Sequence, residues 1–244
     1  MTDQLLAELR KMRSTRTNLG LLAGMVALIL LSVLLGGLTT GALVLSTADQ
    51  QHALLSAGTS AALFASLIGV MAITSEFRHG TIRSTFVVTP RRGRVLAAKV
   101  ISSLVMGILF GALAMALSLG IGYAVLAGRG IPFALDTGHV LLLGFGTLGM
   151  TALWAALGVG FGALVRNQVL AVIGLIVWMM LIDSLLRGLV PNVGRFTPSA
   201  ASAAITGDPA HYLLSPAAGG LLLIGYAAAL VAAGTYLVAR RDVT

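Results

Sequence analysis

Hydrophobic and polar positions along this chain segregate on the scale of whole membrane spans. Asp, Glu, Lys and Arg are missing from six long intervals, 17–48, 50–75, 100–128, 137–165, 167–182 and 209–239, and five of the six hold at least 26 residues. A helix rising about 1.5 Å per residue crosses a hydrocarbon layer about 30 Å thick in about 20 residues. The remaining interval, 167–182, has only 16 residues, so it spans only with Asp183 inside it or at its outer edge. The pattern predicts an all-α membrane protein, a single transmembrane domain over 1–244. Its six transmembrane helices are expected at about 19–45, 53–75, 97–126, 138–164, 168–188 and 216–239.

Two segments depart from that pattern. Before the first span, Leu5, Leu9 and Met12 fall at helical spacing with Arg10, Lys11 and Arg13 turned elsewhere. Residues 1–17 therefore read as an amphipathic interfacial helix on anionic membrane lipids, or as a plain positive anchor that sets topology. Ahead of the last span, 188–216 holds four of the six prolines and little charge. Irregular backbone is not tolerated against lipid, so 189–215 is expected to sit partly in the interface as broken or re-entrant helix.

Composition supports a bilayer as the solvent. The chain is 57% hydrophobic and 10% charged, with a mean hydropathy of +0.98, against roughly 45–50% and 25% in soluble domains. The apolar run from Leu19 has spanning length and no A-x-A site after it, so it reads as an uncleaved first span. Cysteine is absent, which excludes a disulfide framework and a Cys-based metal site.

The net charge of +8 changes the picture through its distribution. The basic residues form short clusters beside apolar runs, unlike a nucleic-acid-binding face. Four precede the first span, six lie between the second and third, and Arg166, Arg240 and Arg241 fall on the same side. Only Arg129, Arg187 and Arg195 fall on the other. The positive-inside rule then places both termini and 76–96 in the cytoplasm, and 189–215 outside.

Candidate chemistry is sparse. His52, His79, His139 and His211 are scattered without a metal-binding spacing, and neither a G-x-S-x-G elbow nor a paired-carboxylate set occurs in the spans. The chain is expected not to be an enzyme and to hold no cofactor or metal. Its two lysines, Lys11 and Lys99, do not follow glycine, so it has no P-loop, and any ATP-driven process must borrow an ATPase. The G-x-x-x-G pairs Gly37/Gly41, Gly107/Gly111 and Gly158/Gly162 predict close helix packing. Asp183 and Arg187, four apart, predict an ion pair at the outer interface or an outer gate.

The loop between the second and third spans is ordered rather than merely basic. Ile82 and Phe86 can share a face of a short helix, Thr89 is restricted by the proline after it, and Thr89-Pro90 can start a new helix that runs into the third span. This describes a short transverse helix, a turn, and a cytosolic extension of a span.

The pattern "EFRHGTIRSTFVVTPRRGRVLAAK", together with the amphipathic start, six spans and a Pro-containing loop before the last, resembles ABC-2 type permeases of bacterial ABC transporters. The resemblance implies a permease subunit in the bacterial cytoplasmic membrane. It would pair with a second permease chain, identical or related, and with two cytoplasmic ABC ATPase subunits that carry ATP and Mg. The loop would be the coupling helix: Glu76, Phe77, Arg78, His79, Gly80, Thr81, Ile82 and Arg83 touch or support the ATPase, while Arg91 and Arg92 contact it or lipid phosphate. The expected mechanism is alternating access, and the small extracellular loops, which offer no domain to capture solute, point to export of a drug, lipid or peptide, as in multidrug resistance. Two other classes stay open: a proton-driven secondary transporter using Asp183, and a non-transporting scaffold or immunity protein.

Overall fold

Apolar sequence forms helix here because the helix alone satisfies every backbone donor and acceptor within its own segment. The structure, a computed structural model, describes residues 8, 11, 15–80 and 92–240, with Arg92, Ala239 and Arg240 described by backbone alone. Among the described residues there is no strand. The elements are α1 (Arg16–Thr39), α2 (Ala42–Leu45), α3 (Ala48–Leu55), a 3-10 turn (Ser56–Ser60), α4 (Ala61–Arg78), α5 (Arg92–Gly128), α6 (Thr137–Val165), α7 (Gln168–Val177), a π turn (Trp178–Ile182), α8 (Asp183–Leu189), α9 (Pro191–Gly194), α10 (Pro198–Ile205) and α11 (Pro216–Arg240). Six of the resulting rods are long and apolar enough to cross a membrane: α1, α3 through α4, α5, α6, α7 through α8, and α11.

Several helix starts are written in local sequence. Asp136 accepts the His139 N–H (2.9 Å) and caps α6; Asn167 accepts the Leu170 N–H (3.1 Å) and caps α7. Thr197 accepts the Ala200 N–H (3.3 Å) before Pro198 at the first position of α10. Helix α1 ends at Thr39, short of the expected 45, and Thr40 is extended. Carbonyls at its end are met from the residue just after α5, where the Arg129 guanidinium donates to Gly37 O and to Thr40 O.

The rod that contains α4 is interrupted by its 3-10 turn. There α5 comes close: a Cβ on Gly58 would lie 3.1 Å from Ala114 O, and Ser118 Oγ donates to Leu55 O at 2.6 Å. The hydroxyl thus adds a tertiary hydrogen bond at the carbonyl that opens the 3-10 turn.

At the centre stands α6, packed on α4, α5 and α11 through glycines. A Cβ on Gly158 would sit 2.1 Å from Ser66 O, and one on Gly69 2.0 Å from Ala155 O. Gly107 and Gly111 meet Thr151, Gly162 meets Ile73, and Gly160 meets the Leu230 backbone, all within 3.0 Å. The Gly37/Gly41 pair does not repeat this. Gly37 faces Val125, whereas Gly41 lies beyond the end of α1, and a Cβ built there would meet nothing within 4 Å among the described residues. Helices α1 and α7–α8 bury only 17% of their most apolar stretch, against 56% for α6, and so form the outer, apolar face of the bundle.

The segment before α11 folds back into the bundle. Trp154 Nε1, near the middle of α6, donates to Ser202 Oγ of α10 (2.8 Å), and Tyr226 Oη of α11 donates to Phe196 O (2.9 Å). Small residues allow this approach: Ala200, Ala201 and Ala204 are buried between α6 and α11, and Gly146 and Gly219 pass close to the α10 backbone.

Candidate functional site

Lys99 and Glu76 stand at the margins of two charge-free runs, one entering α5 and the other leaving α4, and the fold buries both. Their side chains are 1% and 2% exposed. Lys99 Nζ donates to Glu76 Oε1 (2.8 Å), to Glu8 Oε2 (3.0 Å) and to Ala72 O (3.0 Å), which uses all three ammonium protons. Lys11 Nζ also donates to Glu76 Oε1. Two carboxylates and two ammonium groups, from the N-terminal segment, α4 and α5, therefore form one neutral cluster.

Burying an ion costs several kcal/mol, and attraction offsets this only where geometry is good and the remaining donors are satisfied. Lys99 meets that condition. Glu76 meets it on one side only, since Oε2 is buried with no hydrogen-bond partner among the described residues. The cluster thus fixes three chain segments together while keeping one buried acceptor open.

Around it, the ends of the other helices converge. Arg78 Nη1 donates to Gln168 Oε1 of α7 at 3.4 Å. The Arg166 guanidinium lies 5.3 Å from the Phe77 ring centroid and donates from Nη2 to Leu237 O of α11 (2.9 Å). Arg166 adopts φ 56°, which turns the chain sharply from α6 into α7. His79 Nδ1 donates to Ser75 O (2.7 Å), a pairing that requires the Nδ1–H tautomer because a carbonyl only accepts. Gly80 follows with φ +69°, a left-handed conformation suited to glycine, and ends the helix.

The fold separates the residues of the expected coupling segment into buried and exposed ones. Glu76 is buried, a position from which it can support the segment rather than touch a partner. Phe77 turns inward against Ile73, Leu96 and Val159. Arg78, His79 and Gly80 are exposed. Thr81, Ile82, Arg83 and Arg91 lie outside the described residues, as does the side chain of Arg92 and most of 1–17. Glu8 and Lys11 engage the bundle rather than lying on a lipid-facing side. Sequence reasoning passed over Lys99 as a site residue. Its signal was a lysine just inside the opening of an apolar run, opposite a glutamate just outside the end of the preceding one.

Comparison with known families and with curated proteins gives nothing to place beside this geometry. No family model matches the chain, and no curated protein does.

The second buried charge pair lies elsewhere. Asp183 is fully buried, 15 residues into the α7–α8 rod, or about 22 Å from its start at about 1.5 Å per residue. Its Oδ2 lies 2.9 Å from Arg187 Nε, an ion-pair contact without hydrogen-bond geometry, and its Oδ1 accepts the Ser199 N–H at the start of α10 (3.4 Å). Only Arg187, 30% exposed, reaches toward the surface. Among the described residues, no three His, Asp or Glu side chains converge on a metal-sized site.

Proposed function

We propose that this chain is the permease subunit of an ATP-binding cassette exporter of the bacterial cytoplasmic membrane. Two permease chains and two separate ATPase subunits would make the transporter, and an amphipathic drug, lipid or peptide would be its cargo. The single observation that carries the mechanical part of this reading is the Glu8–Lys11–Glu76–Lys99 cluster. It joins the N-terminal segment to the end of α4 and the start of α5, the two helices that flank the loop carrying the R-x-G-T-I-R pattern. A displacement of that loop by an ATPase would be passed to both helices at once, because the buried ion pair resists separation. α4 and α5 pack on α6, so the displacement would reach the centre of the bundle.

The two states need different affinities for nucleotide, and that difference would reside on the ATPase. The charge-poor spans suit an amphipathic cargo. Asp183 supports a proton-driven alternative, since it is the fully buried carboxylate of the α7–α8 rod.

The test uses the absence of native cysteine. The single substitution Ser84→Cys, cross-linked in intact membranes with a short thiol-to-amine reagent, is expected to capture an ABC ATPase identifiable by mass spectrometry. A thiol at position 84 that reacts from the cytoplasm and yet never captures one would overturn the reading. Transport that survives ATP depletion but is lost in Asp183→Asn would select the proton-driven alternative.

A further inference from the structure

Beside the charge cluster, the starts of α1 and α7 and the end of α4 enclose a cavity of about 300 Å³. Its polar lining includes Lys11, Thr15, Asn18, Ser75, Arg78 and Gln168. The volume equals that of about ten liquid waters at about 30 Å³ each, enough for a phosphoglycerol group.

Charge balance leaves this cavity with one cation in excess. Glu8 and Glu76 are matched by Lys99 and Lys11, so those four cancel. Arg78 is left over among the described residues: its hydrogen bond goes to a neutral amide, at 3.4 Å. Hydroxyl and amide groups at Thr15, Asn18, Ser75 and Gln168 supply further hydrogen-bonding capacity around the same space.

The surroundings point to a lipid rather than a soluble anion. Leu19, directly after Asn18, is 57% exposed, and Val169 and Leu170, directly after Gln168, are 61% and 62% exposed. A polar cavity thus opens at the end of the bundle, with apolar surface starting immediately beyond it on both flanking helices. That is the order of a phospholipid, headgroup first and acyl chains next. We propose that this cavity binds the phosphate headgroup of an anionic phospholipid, with Arg78 as the charged ligand and the acyl chains lying on α1 and α7. The bound headgroup would rest against the Glu8–Lys99 contact, making lipid composition an input to the cluster. The site requires only that the chain spans a bilayer and is independent of what it transports.

Native mass spectrometry of the purified full chain, titrated with phosphatidylglycerol and with phosphatidylcholine, tests this. The wild type is expected to prefer phosphatidylglycerol by about tenfold, the equivalent of one charge-assisted hydrogen bond. Arg78→Gln, at an exposed position, should lose that preference, while Arg195→Gln near α9 should keep it. Equal binding of both lipids by the wild type, or an unchanged preference in Arg78→Gln, would overturn the proposal. Soluble glycerol phosphate should not displace the lipid at equal concentration. If it does, the ligand is a free phosphate compound and the lipid assignment falls. Neither failure would affect capture of an ATPase from position 84, and failure of that capture would leave the lipid preference intact.

Discussion

Glu76 and Asp183 are both buried carboxylates in apolar helices, yet the fold treats them in opposite ways. Asp183 is answered from within its own rod by Arg187, four residues on, and by one backbone N–H of α10. Glu76 is answered by Lys11 and Lys99, which lie 65 and 23 residues away. A local pair neutralises itself before tertiary structure forms, so it places little constraint on how helices assemble. A remote pair is neutral only when three segments have met. The Asp183 arrangement therefore makes a charge tolerable in its helix, whereas the Lys99 arrangement makes assembly itself conditional on charge.

The largest expected effect tests that difference directly. Lys99→Met keeps side-chain length and leaves the buried Glu76 and the half-buried Glu8 without their shared cation, which should cost about 3–5 kcal/mol. Thermal unfolding in detergent is the readout. The double variant Lys99→Met/Glu76→Leu should recover most of the loss, because removing both members of a buried pair is often nearly neutral. Asp183→Asn, by comparison, can still accept from the Ser199 N–H, and Arg187 can turn to water, so about 1 kcal/mol is expected. Equal losses in Lys99→Met and Asp183→Asn would erase the distinction.

A middle-sized effect asks whether remoteness alone matters, or remoteness with charge. Gln51, fully buried at the opposite end from Lys99, also bridges distant segments. Its Nε2 donates to Leu45 O (3.0 Å) and Pro132 O (2.8 Å), and its Oε1 accepts the Ala134 N–H (2.8 Å). Gln51→Leu orphans these three backbone groups and should cost about 1–3 kcal/mol, with faster hydrogen exchange at Ala134. Because the lost interactions are neutral, the cost should be the same at low and high salt. A strong salt dependence would mean that the two ends are not held by different physics.

The sequence discloses these features unevenly, for a physical reason. Charge-free runs mark the helices because the bilayer penalises each charge separately, and that penalty is visible residue by residue. Gly107, Gly111, Gly158 and Gly162 were legible as packing positions because a small side chain at spacing four has one main use in apolar helices. Gly41 shares the spacing but not the helix, since α1 has already ended at Thr39. The pairing of Lys99 with Glu8 and Glu76 was not legible. Each residue looks like an ordinary interfacial charge, and only the fold brings 8, 76 and 99 together. Gln51 was invisible for a further reason: a neutral amide leaves no mark in a charge pattern.

The smallest effect concerns a local pair in water, the limiting case of the comparison. Asp136 is exposed and caps α6, and its carboxyl is held below the usual aspartate range, chiefly by the His139 N–H and next by the His139 ring, whose Nδ1 lies 2.6 Å from Oδ2. A lowered folded value means that the cap contributes fully above the ordinary carboxylate pKa and is lost as pH falls through the lowered folded value. Titration of the Asp136 carboxyl carbon by NMR should therefore give a midpoint below about 3.9, moving up in His139→Ala as the ring contact goes. The change should loosen only the first turn of α6, because no remote segment depends on this pair. If acid titration of Asp136 instead shifted resonances near Lys99, local pairs would also carry assembly, and the contrast between Glu76 and Asp183 would reduce to one of burial.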